Sequence, residues 1–506
     1  MTTTDKNCGS QTSELNPPPP GTPFTRDLQR ARLAQTREKI QECRAILETL
    51  DAEREELEDI LETFVYPVLT IPTEIVTHIF LDCLPSTGRV QPSKNAAPLL
   101  LAQICRHWRA IALSIPQLWS SVDLTFLQGT SSGGPFNIRS LGTYSSDGFV
   151  SNDSPYNGAC ALIRTWFSRT GGKPLSITLR CSQDREAFPP AILPAIAEFS
   201  EQWGRLELCI QADDIPAMAR IRGPFPLLYS LAVTPAAGSA HNMGKLGAFR
   251  DAPQLRELRL LHGLALSHVE INSTNITTLE VDADVRMSWS RWVAILRRFP
   301  RLIHFSGFPE SPPSNAQVLD NAPPLQSLIV GGDPLSVLRL PHVRRLQCRP
   351  NGPQAFLSFI FRSSCVLQHL YLGCSFLNDD ALLECLRAVP SVVKLDLGRY
   401  RSAPSLYDQL RSPALLPRLR ELSIREAGDE YTFQPVLAML SARRDPHPTR
   451  IQLGSFDLLL DQTDTLSDDE SAAPDAGEAL QIQRLIAAGL QFRLHTALYK
   501  WPSGLK

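Results

Sequence analysis

Apolar residues recur along this chain with two distinct periods. From Arg26 to Phe64 runs a stretch of helix formers without Gly or Pro. In it Leu33, Ile40, Leu47 and Leu61 fall on a seven-residue repeat that Arg54 interrupts. Thr36, Cys43, Leu50, Leu57 and Phe64 follow three residues after each of these positions, while Glu38, Lys39, Glu53 and Glu58 lie off the seam. Such an a/d pattern, about five heptads long, predicts a helix over 26–64. It is either a coiled coil that dimerises the protein or an amphipathic helix folded back on its own domain. From residue 203 the spacing changes to φ-x-x-φ-x-φ. Its anchors are Leu228-Leu231-Val233, Leu255-Leu258-Leu260, Ile276-Leu279-Val281 and Leu325-Leu328-Val330. It continues through Val343-Leu346-Cys348, Leu367-Leu370-Leu372, Val392-Leu395-Leu397 and Leu419-Leu422-Ile424, with imperfect copies at Trp203-Leu206-Leu208 and Leu302-Phe305.

First anchors are 18 to 27 residues apart, and seven of the ten copies carry Pro two residues before the first anchor (Pro226, Pro253, Pro300, Pro323, Pro341, Pro390, Pro417). Proline ends a helix and tilts its neighbour toward extended geometry, so each unit reads as a short strand plus a return segment. SWSRWVAILRRF and DALLECLRAV read as helical returns. One unit cannot bury its apolar side alone, whereas a stack can, and the repeat length is that of leucine-rich repeats. The expected fold is an α/β solenoid, leucine-rich-repeat-like, over 159–455, preceded by small helical elements. Leu175-Ile177-Leu179 is expected to start or cap its sheet. Residues alternating with the anchors point outward and carry mixed charge, which suits a protein partner better than a phosphate backbone. Glu257, Arg259, Arg345, His369, Tyr371 and Lys394 are the candidate target-binding positions.

Composition narrows the classes. The 506 residues include 50 Lys and Arg against 52 Asp and Glu, a balance that gives no general pull toward nucleic acid. No apolar run is long enough to span a bilayer, and the N-terminus lacks the basic and apolar regions of a secretory signal. The 11 cysteines are odd in number and show no Cys-x-x-Cys pair, which argues against a disulfide scaffold or zinc site and for the cytoplasm or nucleus. No metal or other cofactor is expected. Residues 1–25 read as a disordered leader with Pro17 to Pro20 in a row, and 123–158 as a flexible Gly/Ser-rich linker. Further on, 456–478 reads as an acidic linker and 479–506 as a closing amphipathic helix. Gly129-Thr130-Ser131-Ser132-Gly133 has the G-x-S-x-G form but is followed by Gly134-Pro135 and a polar loop, not the helix a nucleophile elbow needs. GSAHNMGK, at 238–245, has the wrong spacing for a phosphate loop, and Ser467 is a candidate acidic-directed phosphosite in a solvated linker. The chain is read as non-catalytic.

Between the two periodic regions lies LTIPTEIVTHIFLDCLP, from Leu69, and then AAPLLLAQICRHWRAIALSIPQLWSSV. Pro72 suits the first turn of a helix running to about Cys83, with Ile75, Ile79, Phe80 and Cys83 on one face. The second segment predicts one helix with Leu100 or Leu101, Ile104, Cys105, Trp108, Ile111 and Ala112 on one face, ended by Pro116. So few short helices gain stability by docking on a partner helix. Ile71-Pro72-Thr73-Glu74-Ile75, Ile79-Phe80, Leu84-Pro85, Ile104-Cys105-Arg106-His107-Trp108-Arg109 and Leu118-Trp119 resemble an F-box, over 69–119 within a 65–122 domain. The arrangement is similar to that of fungal F-box proteins with a heptad helix in front. The resemblance implies a substrate-recognition subunit of a Skp–cullin–F-box ubiquitin ligase: the box docks on the Skp-type adaptor, and through it a cullin, while the repeats hold the target. By position, Ile71, Pro72, Ile75, Ile79, Leu84, Ile104 and Trp108 would carry adaptor binding, shared with the box's own core. Residues 86–98 form a polar insertion longer than a compact box needs. The alternative is a leucine-rich-repeat interaction scaffold outside any ligase.

Overall fold

The computed structural model describes residues 23–63, 70–126, 157–181, 188, 190–221, 223–236, 243–400, 404–427, 432–445, 451–461, 474–495 and 500–501. The chain divides into two units, Met1–Ile75 and Val76–Lys506. The first is dominated by a 41-residue helix, α1 (Pro23–Thr63). Its one proline sits in the first turn, where no backbone donor is lost, and the side chains from Arg26 to Ile60 are all exposed. Arg54, which interrupts the apolar seam, lies 3.7 Å from Asp51 and 3.9 Å from Glu58 on the same helix.

The second unit is built on a large sheet, parallel but for its last pairing. Strands β1 (Ser121–Phe126), β2 (Leu175–Cys181), β3 (Trp203–Ile210), β4 (Ser230–Pro235), β5 (Glu257–Leu260) and β6 (Thr278–Val281) follow one another in chain order. β7 (Arg286–Met287) pairs apart with β9 (Phe308–Pro309), and β8 (His304–Ser306) takes the next place in the main sheet. β10 (Ser327–Ile329), β11 (Arg345–Cys348), β12 (His369–Gly373), β13 (Lys394–Tyr400) and β14 (Glu421–Ala427) continue it. β15 (Ser455–Asp461), β16 (Gln491–His495) and the antiparallel β17 (Lys500–Trp501) complete it.

The anchors explain this order. Leu206, Leu231, Leu258 and Leu279 stand side by side on consecutive strands, as do Leu346, Leu370, Leu395 and Leu422 farther along. Every anchor is at most 2% exposed. A strand joined to the next by a crossover of some twenty residues pairs in parallel, and register follows from keeping the apolar row on the covered face. A long N-terminal helix followed by this sheet and its helices is compatible with the α/β solenoid expected.

Helices α2 (Thr73–Asp82), α3 (Leu101–Ile104) and α4 (Arg106–Ser114) precede the sheet. The return segments include α5 (Asn157–Ser168), α6 (Ile192–Ala197), α7 (Ile215–Met218), α8 (Trp289–Arg298), α9 (Pro353–Ser363) and α10 (Asp379–Arg387). They continue with α11 (Pro404–Arg411), α12 (Phe433–Arg444) and α13 (Ala476–Ala487). The two predicted helical returns are α8 and α10, and the Asn378 side chain caps α10 by accepting from the Ala381 N–H at 2.9 Å. Arg443, 5% exposed on α12, donates to the carbonyls of Leu410, Ser412, Leu415 and Leu416, the end of α11 and the turn after it.

Three boundaries differ from expectation. The sheet opens at Ser121, so residues 123–126 are strand; Trp119-Val122-Leu124 carries the anchor spacing, and Val122 and Leu124 pair with Ile177 and Leu179. Residues 456–461 are likewise strand, because Leu453-Phe456-Leu458 repeats the spacing without the proline and is fully buried. The closing helix stops at Ala487 instead of running to Leu498. Gly489 turns left-handed at φ 92°, its N–H bonds to Ile486 O at 2.8 Å and that of Leu490 to Leu485 O at 3.0 Å, a Schellman stop. Phe492 and Leu494 then alternate inward as β16. Residues 1–22 of the leader, most of the Gly/Ser-rich linker with Ser131, residues 238–242 of the phosphate-loop-like segment, and Ser467 lie outside the described residues, while residues 23–25, expected in the leader, begin α1.

Candidate docking surfaces

The helical segment after α1 is sorted by burial. Val76 and Phe80 of α2, Leu101 of α3, Ile111 and Ala112 of α4, and Leu118 and Trp119 of the following turn are buried. Phe80 meets Trp108 edge-on at 5.0 Å between ring centres, and the Trp119 indole N–H donates to Ala112 O at 2.9 Å. Ile75 and Ile79, one turn apart on α2, are instead 50% and 43% exposed, and Ile104 is 54% exposed. Of the other residues named from sequence, Pro72 is exposed and Ile71, Leu84 and Trp108 are half-buried.

Two sequence expectations are corrected here. The face that the period gives to Ile75, Ile79, Phe80 and Cys83 is split: Phe80 is buried beside Val76, while Ile75, Ile79 and Cys83 are exposed. The second segment is two helices, because Cys105 is extended (φ −153°, ψ 169°) and its Sγ accepts from the Trp108 N–H at 3.4 Å as an N-cap. The break takes Ile104 out of the buried stripe. Of the pair offered for the apolar face, Leu101 is buried and Leu100 is 42% exposed; Leu113, 39% exposed, was not singled out from sequence, since it reads as an ordinary member of an apolar run.

The polar insertion at 86–98 is tied to the edge of the sheet. Val90 is 1% exposed and its carbonyl accepts from the Asp123 N–H at 2.7 Å, while Arg89 pairs with Glu207 of β3 at 2.7 Å. A parallel sheet must hide its first strand from other chains, and this segment occupies donors that β1 would otherwise present.

The six candidate target-binding residues lie on β5, β11, β12 and β13, on the face opposite the anchors. Three are engaged along the sheet: Glu257 takes Arg205 at 3.3 Å and the Ser230 hydroxyl at 2.9 Å, Arg259 meets Glu280 at 3.6 Å, and Lys394 meets Glu421 at 3.1 Å. The mixed charge is thus largely a ladder of cross-strand pairs, each half-exposed and worth tenths of a kcal/mol to about 1 kcal/mol. Arg345, His369 and Tyr371 have no ion pair among the described residues. Tyr371 extends over Gly398, whose missing Cβ makes room for the phenol hydroxyl, and Arg349 lies over Gly373, where a Cβ would come within 2.5 Å of its Cγ. Phe361, on α9, and Phe376, just after β12, are 89% and 69% exposed, which nothing in their sequence neighbourhood signals.

Burial first, and then the Arg345 and Lys394 charges, hold the His369 pKa below its ordinary value. The unfolded chain therefore takes up this proton before the folded one. The His369 contribution to stability is intact above about pH 6.5 and falls as the pH drops through that region. A His369→Gln chain is expected to lose less stability than the parent between about pH 7.5 and 5.5, read as the shift in urea midpoint.

Among the described residues no cluster of His, Cys, Asp and Glu is suited to a metal ion, and no helix is long and apolar enough to cross a membrane. Burial pushes the Cys374 and Cys385 thiols up to about 12, far from a reactive thiolate at neutral pH. No protein-family model matches the chain, and no curated protein matches it.

Proposed function

We propose that this protein is the substrate-recognition subunit of a Skp–cullin–F-box ubiquitin ligase. In this reading the short helices of residues 69–119 form an F-box that docks on a Skp-type adaptor, and the sheet is a leucine-rich-repeat array that holds the target. The observation that carries it is the exposure of Ile79 and Ile104 on helices whose own core is already filled by Phe80, Leu101, Ile111 and Trp119. Isoleucines left in water on so small a helical segment are what a docking surface requires. The polar sheet face, with Arg345, His369 and Tyr371 free of cross-strand ion pairs, is the matching candidate for target binding. The receptor does no chemistry itself; it raises the effective concentration of the target beside a charged ubiquitin carrier.

Co-expression with a Skp-type adaptor and affinity purification test the reading. The parent chain is expected to retain adaptor and cullin. An Ile79→Asp, Ile104→Asp chain is expected to lose at least about 100-fold in adaptor affinity, since each buried isoleucine is worth about 1.5–3 kcal/mol. Its circular dichroism should be unchanged, because both side chains are exposed. Adaptor without cullin would favour the scaffold alternative, and equal retention of parent and variant would sink the docking surface.

A further inference from the structure

We infer that α1 pairs with α1 of a second copy of this chain, and that the two helices run antiparallel. Leu33, Ile40, Ile46, Leu47, Leu50 and Leu57 are each 48–59% exposed along α1, a seam that a single helix leaves in water. Charge decides what covers it. Taking Leu33, Ile40, Leu47 and Arg54 as a positions, the flanking e and g positions are basic in the first half (Arg30, Arg32, Arg37, Lys39, Arg44). In the second half they are acidic (Asp51, Glu53, Glu58).

A parallel, in-register pair sets each g residue against the e residue five positions on in its partner. That pairs Arg32 with Arg37, Lys39 with Arg44, and Glu53 with Glu58, every charged pair being of like sign. Reversing one helix, with Leu33 beside Leu57, puts Ile40 beside Leu50 and Cys43 beside Leu47 in the seam. The flanks then match Arg30 with Glu58, Arg37 with Asp51 and Lys39 with Glu53, and Ile46 meets its own copy at the centre. Arg44 near its own copy is the single like-charged approach. Arg54 enters this seam opposite Thr36 with Asp51 and Glu58 of its own helix already 3.7 and 3.9 Å away. At 1.5 Å per residue, the Thr63 ends of the two helices then lie about 54 Å apart along the rod, so whatever follows α1 in each copy leaves from opposite ends. None of this depends on the adaptor reading.

The test is sedimentation equilibrium of the full chain, with substitutions that give opposite signs for the two orientations. Each pair occurs twice in the symmetric dimer, so Arg37→Glu with Lys39→Glu turns four attractions of the antiparallel pair into repulsions and should weaken the dimer at least about tenfold, whereas in a parallel pair it relieves repulsions and tightens it. Adding Asp51→Arg and Glu53→Lys to the same chain should restore the parent affinity. These side chains are exposed, so the fold is not at stake, and circular dichroism checks it. Mild oxidation is a second readout. Parallel helices bring Cys43 face to face with its copy and give a Cys43–Cys43 link, while antiparallel helices set it beside Leu47 and give none. A monomeric parent chain at 100-fold the concentration typical of such dimers, a tighter charge-reversed dimer, or a Cys43 link would each overturn the inference.

Discussion

Replacing Arg443 with methionine is expected to cost the second unit about 3–5 kcal/mol, the range for removing one partner of a buried charged network. The side chain is 5% exposed, and among the described residues its guanidinium is bonded by backbone carbonyls: Leu416 O at 3.2 Å, Ser412 O at 3.1 Å, and those of Leu410 and Leu415. These groups belong to the end of α11 and the turn after it, where Leu416 adopts a positive φ of 56°. A helix end has carbonyls without intrahelical partners, and here a fork of five donors from the next return segment satisfies them. Burial brings the guanidinium pKa down to about 10, so the charge persists at neutral pH even though no carboxylate among the described residues pairs with it. Methionine fills much of the volume but takes the side-chain donor from Leu410 O and Leu415 O, at about 1–3 kcal/mol for each that cannot relax to water, while Ser412 O and Leu416 O keep the N–H groups of Leu415 and Leu419. Lysine should recover only part of the loss, because an ammonium cannot reach four carbonyls spread around a turn. Urea denaturation of the three chains checks the order arginine, lysine, methionine. Equal midpoints for arginine and methionine would mean that the turn rearranges freely.

The sheet was legible in the sequence because its determinant is local and repeated. Three apolar residues at fixed spacing, such as Leu395 and Leu397 behind Val392, specify one strand, and the next copy specifies its neighbour. The ends of the sheet were less legible for a physical reason: β1 and β15 lack the proline found before seven of the ten copies, and each runs straight into a long polar stretch. Residue 491 onward looked helical because the Ala-Ala-Gly of 487–489 reads as a soft interior and not as the left-handed stop that Gly489 makes of it. The residues offered for docking could not be divided by face from the sequence. Ile75 and Val76 are adjacent apolar residues on one helix, and only packing decides that valine goes inward with Phe80. Arg443 gave no signal at all, since a basic residue in a last helical turn is ordinary until its four acceptors, spread over 410–416, are brought around it.

Trp119→Ala is expected to remove about 3–5 kcal/mol and, with it, adaptor retention, which separates it from Ile79→Asp with Ile104→Asp. Trp119 is wholly buried between two parts of the second unit. Its N–H holds Ala112 of α4, its ring meets Trp166 of α5 edge-on at 4.9 Å, and the Arg169 guanidinium lies 4.4 Å above it. Because α5 is the return segment between β1 and β2, this indole joins α4 to the first return of the sheet. Removing it opens a cavity at the junction and frees α4, so the surface that displays Ile104 loses its support although no docking residue has been touched. Trp119→Phe should keep the edge-on contact, lose the hydrogen bond, and cost about 0.5–2 kcal/mol, with adaptor retention reduced but not abolished. The exposed pair predicts the reverse combination: unchanged stability and lost retention. Thermal denaturation and adaptor pull-down on the same three chains give a two-by-two outcome. A Trp119→Ala chain that is destabilised yet still binds adaptor would show that the helices hold their docking geometry without the sheet.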